Sequence, residues 1–185
     1  MTPDSIVNVL EASREELTAA VRGISEEQAH ARPEAGRWSV LECVEHVAFV
    51  EARLLGRLEA SERLDAASAN PEKEAKLVRM VTDRTVRAQA PEPAVPTGRF
   101  TSMAQALDHF NAARTRTIQF VEKRGDDLYC LAAEHQRFGS LNGTELILII
   151  AGHARRHAEQ IREIAALPTG AAGRVFDPPA SSVSK

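Results

Sequence analysis

Apolar residues recur every three or four positions over four long stretches of the chain, and hardly anywhere do they alternate. The first stripe is Ile6, Leu10, Ser13, Leu17, Val21 and Ile24, with Pro3 acceptable at a first helical position, so a helix is expected up to Ser25. SEEQ at 25–28 has the form of a short capping box, and HARPEAGR at 30–37 reads as a loop. A second helix opens at WSVLE, where Ser39 and Glu42 make a capping box and Trp38 can staple onto Cys43. Its pattern extends to about Ala66, before the breaker SANP at 68–71.

A weaker, charged helical pattern occupies 72–90, and Pro91, Pro93 and Pro96 then exclude regular helix from APEPAVPTGRF. A third helix spans roughly Thr101 to Lys123 and stops at Arg124-Gly125. NGTE opens the fourth, with Asn142 as its cap and Glu145 at the third helical position, and the pattern ends near Leu167-Pro168. No segment reads as a strand, and no internal repeat is visible. The expected class is therefore all-α, a four-helix bundle with a long crossover connection (67–100) between helices two and three. Residues 1–167 form the expected single domain, and 168–185, poor in apolar residues, a loosely ordered tail.

Composition agrees with this class. Apolar residues make up 43% of the chain but aromatics only 4%, so alanine and leucine carry the burial, which favours helices over sheets. The net charge of −3 and the lack of a long basic run give no footprint for nucleic acid or an anionic membrane. LILIIAG at 146–152 is too short to span a bilayer, and the N-terminal residues lack the charged start of a signal peptide. Cys43 and Cys130 are isolated, as reduced thiols in a cytoplasmic protein would be.

The chemistry concentrates in the fourth helix. At 100° per residue, His153 and His157 fall in the middle of the stripe Leu146, Ile150, Ile161, Ile164, while Arg155, Arg156, Glu159, Arg162 and Glu163 fill the opposite face. Two buried imidazoles one turn apart must stay neutral and find partners for four ring nitrogens, each unpaired nitrogen costing about 1–3 kcal/mol. A divalent metal removes that cost, because neutral imidazole is the form it binds. A zinc-type catalytic site wants a third protein ligand. His30 and His135 lie in loops and His109 is off its helix's apolar stripe. His46 borders the stripe Val40, Val47, Leu54, Leu58 and is the best remaining candidate, although its position reads equally as an interfacial histidine.

Other polar groups have ordinary readings. Glu42 and Glu45, close to His46, read as helix-start capping groups rather than as a base. Arg114 lies near the apolar side of the third helix, beside Leu107 and Phe110. It reads either as half of a structural ion pair or as a clamp for a substrate carboxylate.

WSVLECVEHV, then APEPAVPTGRFTSMAQALDHFNAARTRTI, then HQRFGSLNGTELILIIAGHARRHAEQI, in this order and spacing, resemble the DinB-like (damage-inducible, YfiT-like) family of metalloenzymes, over residues 5 to 167. The family is unrelated to the DNA polymerase that shares its name. The resemblance implies a four-helix bundle of unusual crossover topology. It also implies a divalent metal, zinc or nickel, held by three histidines, which fall here on His46, His153 and His157. Related members are thiol S-transferases that use a low-molecular-weight thiol. Three functions follow as expectations: a metal-dependent S-transferase acting on a small molecule, a metal-dependent hydrolase of small amides or esters, and a non-catalytic metal-binding stress-response protein. A homodimer is a further expectation.

Overall fold

The computed structural model describes residues 1–63, 69–85 and 89–167. Four long helices carry the fold: α1 (Pro3–Val21), α3 (Val40–Glu59), α5 (Met103–Arg124) and α6 (Gly143–Ala165). Two shorter ones are added, α2 (Glu26–His30) and α4 (Pro71–Thr82). The expected tail, 168–185, lies outside the described residues, as do 64–68 and 86–88.

Local chemistry sets the helix starts. Ser25 with Gln28, Ser39 with Glu42, and Asn142 with Glu145 each form a reciprocal capping box, satisfying two otherwise orphaned groups at the start of α2, α3 and α6. Helix α5 ends on Gly125, whose φ of 55° lies in the region glycine occupies freely. Helix α3 stops at Glu59 instead of continuing to the expected Ala66. The N–H and hydroxyl of Ser61 both bond to the Leu58 carbonyl, and Arg63 is drawn into a bridge with Leu131.

The expectation of no strands fails at one point. Ala132–His135 (β1) and Gly139–Asn142 (β2) form an antiparallel hairpin, with Ala132 opposite Asn142 and His135 opposite Gly139. The three-residue loop closes through Gly139, at φ 71°, a common turn geometry. Each strand has four residues, too few to show a period of two, and Asn142 passes directly from strand to helix cap.

Helix α1 packs against α5 and α6, and α3 packs against the same two, so α1 and α3 sit diagonally. Two apolar clusters mark the ends of the bundle. One joins Ile6 and Leu10 of α1, Leu54 and Leu58 of α3, Ile118 and Val121 of α5, and Leu146, Ile147, Ile149 and Ile150 of α6. The other joins Leu17 and Val21, Val40 and Val44, Phe110, and Ile161 and Ile164. Helices α3 and α5 therefore run parallel, as do α1 and α6. The chain leaving α3 must climb back along the bundle, about 30 Å for a 20-residue helix, before α5 can start. That return is the expected crossover.

Helix α4 makes part of the climb, burying Glu74, Leu77 and Val81 against α6. The two helices come so close that a Cβ on Gly152 would stand 2.3 Å from Val81 Cγ1. With α1, α3, α4 and the hairpin around it, the first half of α6 is buried on every side from Gly143 to Gly152, which explains a run more apolar than an amphipathic helix needs.

Between the two clusters lies a buried polar centre. Arg114 is fully enclosed and bidentate to Glu51, at 2.7 and 2.9 Å, and donates to the Leu10 carbonyl and Ser13 Oγ. Thr117 donates to the same carboxylate at 3.0 Å. Of the two readings of Arg114, the substrate clamp is corrected here. With no exposed surface and its donors aimed at Glu51, Leu10 and Ser13, it joins α1, α3 and α5 as half of an ion pair.

Candidate metal centre

His153 and His157 stand one helical turn apart on α6, and α3, packed alongside, brings in His46. The three rings form a nearly equilateral group, with centroids 4.9 Å (His46–His153), 4.8 Å (His46–His157) and 4.6 Å (His153–His157) apart. One ligand atom from each lies within 4.8 Å of the others. His46 and His157 are buried and His153 is half-buried. The other histidines stay apart: His30 bonds to the Glu26 carbonyl, His109 packs on Phe100 at the surface, and His135 sits in the hairpin beside Phe138.

Hydrogen bonding fixes the form of one ring. His46 Nδ1 lies 2.7 Å from the carbonyl oxygen of Ala94, which can only accept. Nδ1 therefore carries the proton, and Nε2 presents a lone pair to the group. That Nε2 is 3.0 Å from His153 Nε2. Two nitrogens at 2.0–2.1 Å from a tetrahedral ion would be about 3.3 Å apart, so the observed spacing fits one edge of such a site. His157 Nδ1 is buried with no hydrogen-bond partner, leaving a ring nitrogen uncompensated inside the protein.

The electrostatics favour neutral rings. Burial pulls the pKa of His46 below the usual histidine range, outweighing the opposing Ala94 hydrogen bond. His153 and His157 are held well below it, by burial first and then by neighbouring histidines and Arg156. Three neutral imidazoles with one ring nitrogen each within 4.8 Å of the others are a donor set compatible with a divalent metal ion, and the residues present fit such an ion. Cys43 does not compete as a reactive group: burial, with Glu42 nearby, pushes its thiol up to about 12.

Three neighbours of the site were not readable from periodicity. Trp38 packs on the cluster that holds Cys43, but its ring also lies 4.8 Å from His46 and 6.2 Å from His157 between centroids. Arg156, expected on the solvent face of α6, is buried instead, because the chain after α4 covers it and the Asp83 carbonyl accepts from it. Glu45 is no capping group. It is 1% exposed and holds the crossover segment, accepting from Thr97 N, Arg99 N and the Arg99 guanidinium. Glu42 does cap α3, and pairs with Arg32.

A cleft of about 620 Å³ lies between α3 and α5, lined by Phe49, Arg99, Phe100 and His109 among others, but by none of the three histidines. Among the described residues, no helix is long and apolar enough to cross a membrane.

A model of the DinB superfamily matches residues 9–161. The chain is similar to the uncharacterized protein YuaE of Bacillus subtilis, 24% identical over 158 residues, which cover 85% of this chain and 96% of YuaE. Among solved structures it resembles TT2238, a four-helix bundle protein, with a TM-score of 0.57 and 23% identity over 88% of this chain and 99% of that one. It also resembles YfiT from Bacillus subtilis, described as a probable metal-dependent hydrolase with an unusual four-helix bundle topology. That likeness has a TM-score of 0.57 and 15% identity over 88% of this chain and 85% of YfiT. These two likenesses show the fold.

Proposed function

The chain belongs to the DinB superfamily, and on that premise we propose that it binds one zinc or nickel ion through His46, His153 and His157 and acts as a metal-dependent enzyme on a small molecule. The observation that carries this reading is the convergence of three buried or half-buried imidazoles, one of them locked by Ala94 with its Nε2 lone pair turned inward. A divalent ion held by neutral ligands keeps its full charge and lowers the pKa of a water or thiol bound beside it.

The protein's own groups do the rest. Ala94 orients His46, Trp38 screens the His46 and His157 rings from water on one side, and the partly exposed edge of His153 is where a small molecule arrives. The first reading is S-transfer, with a low-molecular-weight thiol as the activated group. Hydrolysis of a small amide or ester is the second, and the likeness to YfiT favours it. Neither reading needs nucleic acid or a membrane. A cytoplasmic location suits the two free cysteines, and a homodimer belongs to the same proposal.

Elemental analysis of untagged protein tests the metal. Cobalt exchange followed by thiol titration then separates the chemistries. A thiolate-to-cobalt charge-transfer band supports S-transfer, whereas turnover of esters or amides without thiol supports hydrolysis. Protein that takes up no divalent ion at pH 7.5 would remove both.

A further inference from the structure

His46 owes its tautomer to a carbonyl outside the α-helices and strands. Ala94 sits in a short 3₁₀ turn, Glu92–Ala94, within a proline-rich segment of the crossover. Pro93 and Pro96 offer no N–H, so the segment has few backbone donors with which to dock. Its internal bonds, Ala94 N to the Pro91 carbonyl at 2.8 Å and Val95 N to the Glu92 carbonyl at 3.3 Å, shape the turn but do not place it against α3.

What places it is one carboxylate. Glu45 Oε1 accepts from Thr97 N at 2.7 Å and from Arg99 Nη1 at 2.7 Å, and Oε2 accepts from Arg99 N at 3.0 Å. The same Arg99 Nη1 returns to the Val95 carbonyl at 3.3 Å, so the anchor reaches the residue next to Ala94. A carboxylate taken out of water is stabilised only where several donors meet it, and here three do, two of them backbone. Glu45 and His46 are consecutive on α3, so the residue that fastens the segment and the residue that uses its carbonyl move as one body.

We infer that Glu45 is a positioning residue for His46: it holds residues 94–99 so that the Ala94 carbonyl keeps the His46 proton on Nδ1 and leaves Nε2 free to bind. The use made of that lone pair rests on the metal reading proposed above. The tautomer itself does not, and it gives the test a readout that needs no metal.

The experiment uses the metal-free protein at pH 8. Long-range nitrogen–proton correlation spectra report which nitrogen of His46 carries the proton, in wild type and in Glu45→Ala. The wild type is expected as the Nδ1–H form, and the variant as a mixture with Nε2–H. Zinc affinity, by competition with a chromophoric chelator, is expected to fall about 10- to 100-fold, as for loss of a group that orients a metal-bound histidine. Where Glu45→Ala does not fold by circular dichroism, Glu45→Gln serves. It keeps the volume and one acceptor oxygen but sets an amide against backbone donors, and the same shift is expected at smaller amplitude. An unchanged His46 tautomer in a folded variant overturns the inference. A wild type that binds no zinc overturns the metal reading instead, and leaves the tautomer shift to decide the role of Glu45.

Discussion

His46 Nε2 stands 3.0 Å from His153 Nε2, with 107 residues of chain between them. His153 in its neutral Nε2–H form can donate to the His46 Nε2 lone pair across that distance, and a divalent cation can take that proton's place while both rings stay neutral. His153→Ala or His157→Ala should therefore drop bound metal to well under one equivalent. Plasma emission on the purified variants measures this, and full metal retention in either one would sink the assignment.

The protein has a single tryptophan, and it lies against two of the three rings. Nickel or cobalt should quench Trp38 emission, with recovery on adding a chelator. The His46→Ala variant should show no saturable quenching below millimolar metal. Equal titration curves for variant and wild type would place the ion elsewhere.

Acid should destabilise the metal-free protein in a defined window. All three histidines have folded pKa values below their unfolded value of about 6.5, so between the two the unfolded chain binds more protons. Stability must then rise with pH through that interval and level off above about 6.5. His135, also lowered by burial, adds to the same slope. Urea midpoints should fall between pH 7.5 and 5.5, and replacing His153 and His157 with Gln should flatten the difference. A midpoint unchanged over those two pH units would contradict the buried, neutral state of the rings.

Removing Arg114 leaves Glu51 alone in the interior, which typically costs about 3–5 kcal/mol. Arg114→Ala should approach that loss in denaturant unfolding. The double replacement Arg114→Met, Glu51→Leu should recover much of it, because two apolar side chains of similar volume leave no charge behind. A single variant within about 1 kcal/mol of wild type would mean that water reaches Glu51 and the centre is not closed.

What was legible in the sequence was what depends on near neighbours. The capping boxes at Ser39 and Asn142 need only residues three apart, and the inward stripe of α6 needs only its own period. The inward histidine pair on α6 was therefore visible from spacing, whereas the place of His46 beside it, at the edge of its own stripe, needed the family resemblance. Glu45, read as a helix-start cap, and Arg156, read on the solvent face, are both buried by the connection between α3 and α5, whose partners for them neither cap position nor helical wheel foresees. The hairpin escaped because two strands of four residues, AAEH and GSLN, are too short to carry a readable alternation.

Helix α3 carries His46 and Glu51 five residues apart, about 140° around its axis, so its two polar groups look in opposite directions. Glu51 ties it, through Arg114, to α5 and to Leu10 and Ser13 of α1 with groups of the chain itself, whereas the histidines tie it to α6 only as firmly as whatever they share. The bundle then has one permanent fastening and one that can be withdrawn. Amide hydrogens around Glu51 and Arg114 should exchange only when the whole molecule opens, with or without an ion. Those around His157 should exchange through a local opening whose free energy follows ion concentration, so that protection mapped along a single molecule separates the two halves of its interior.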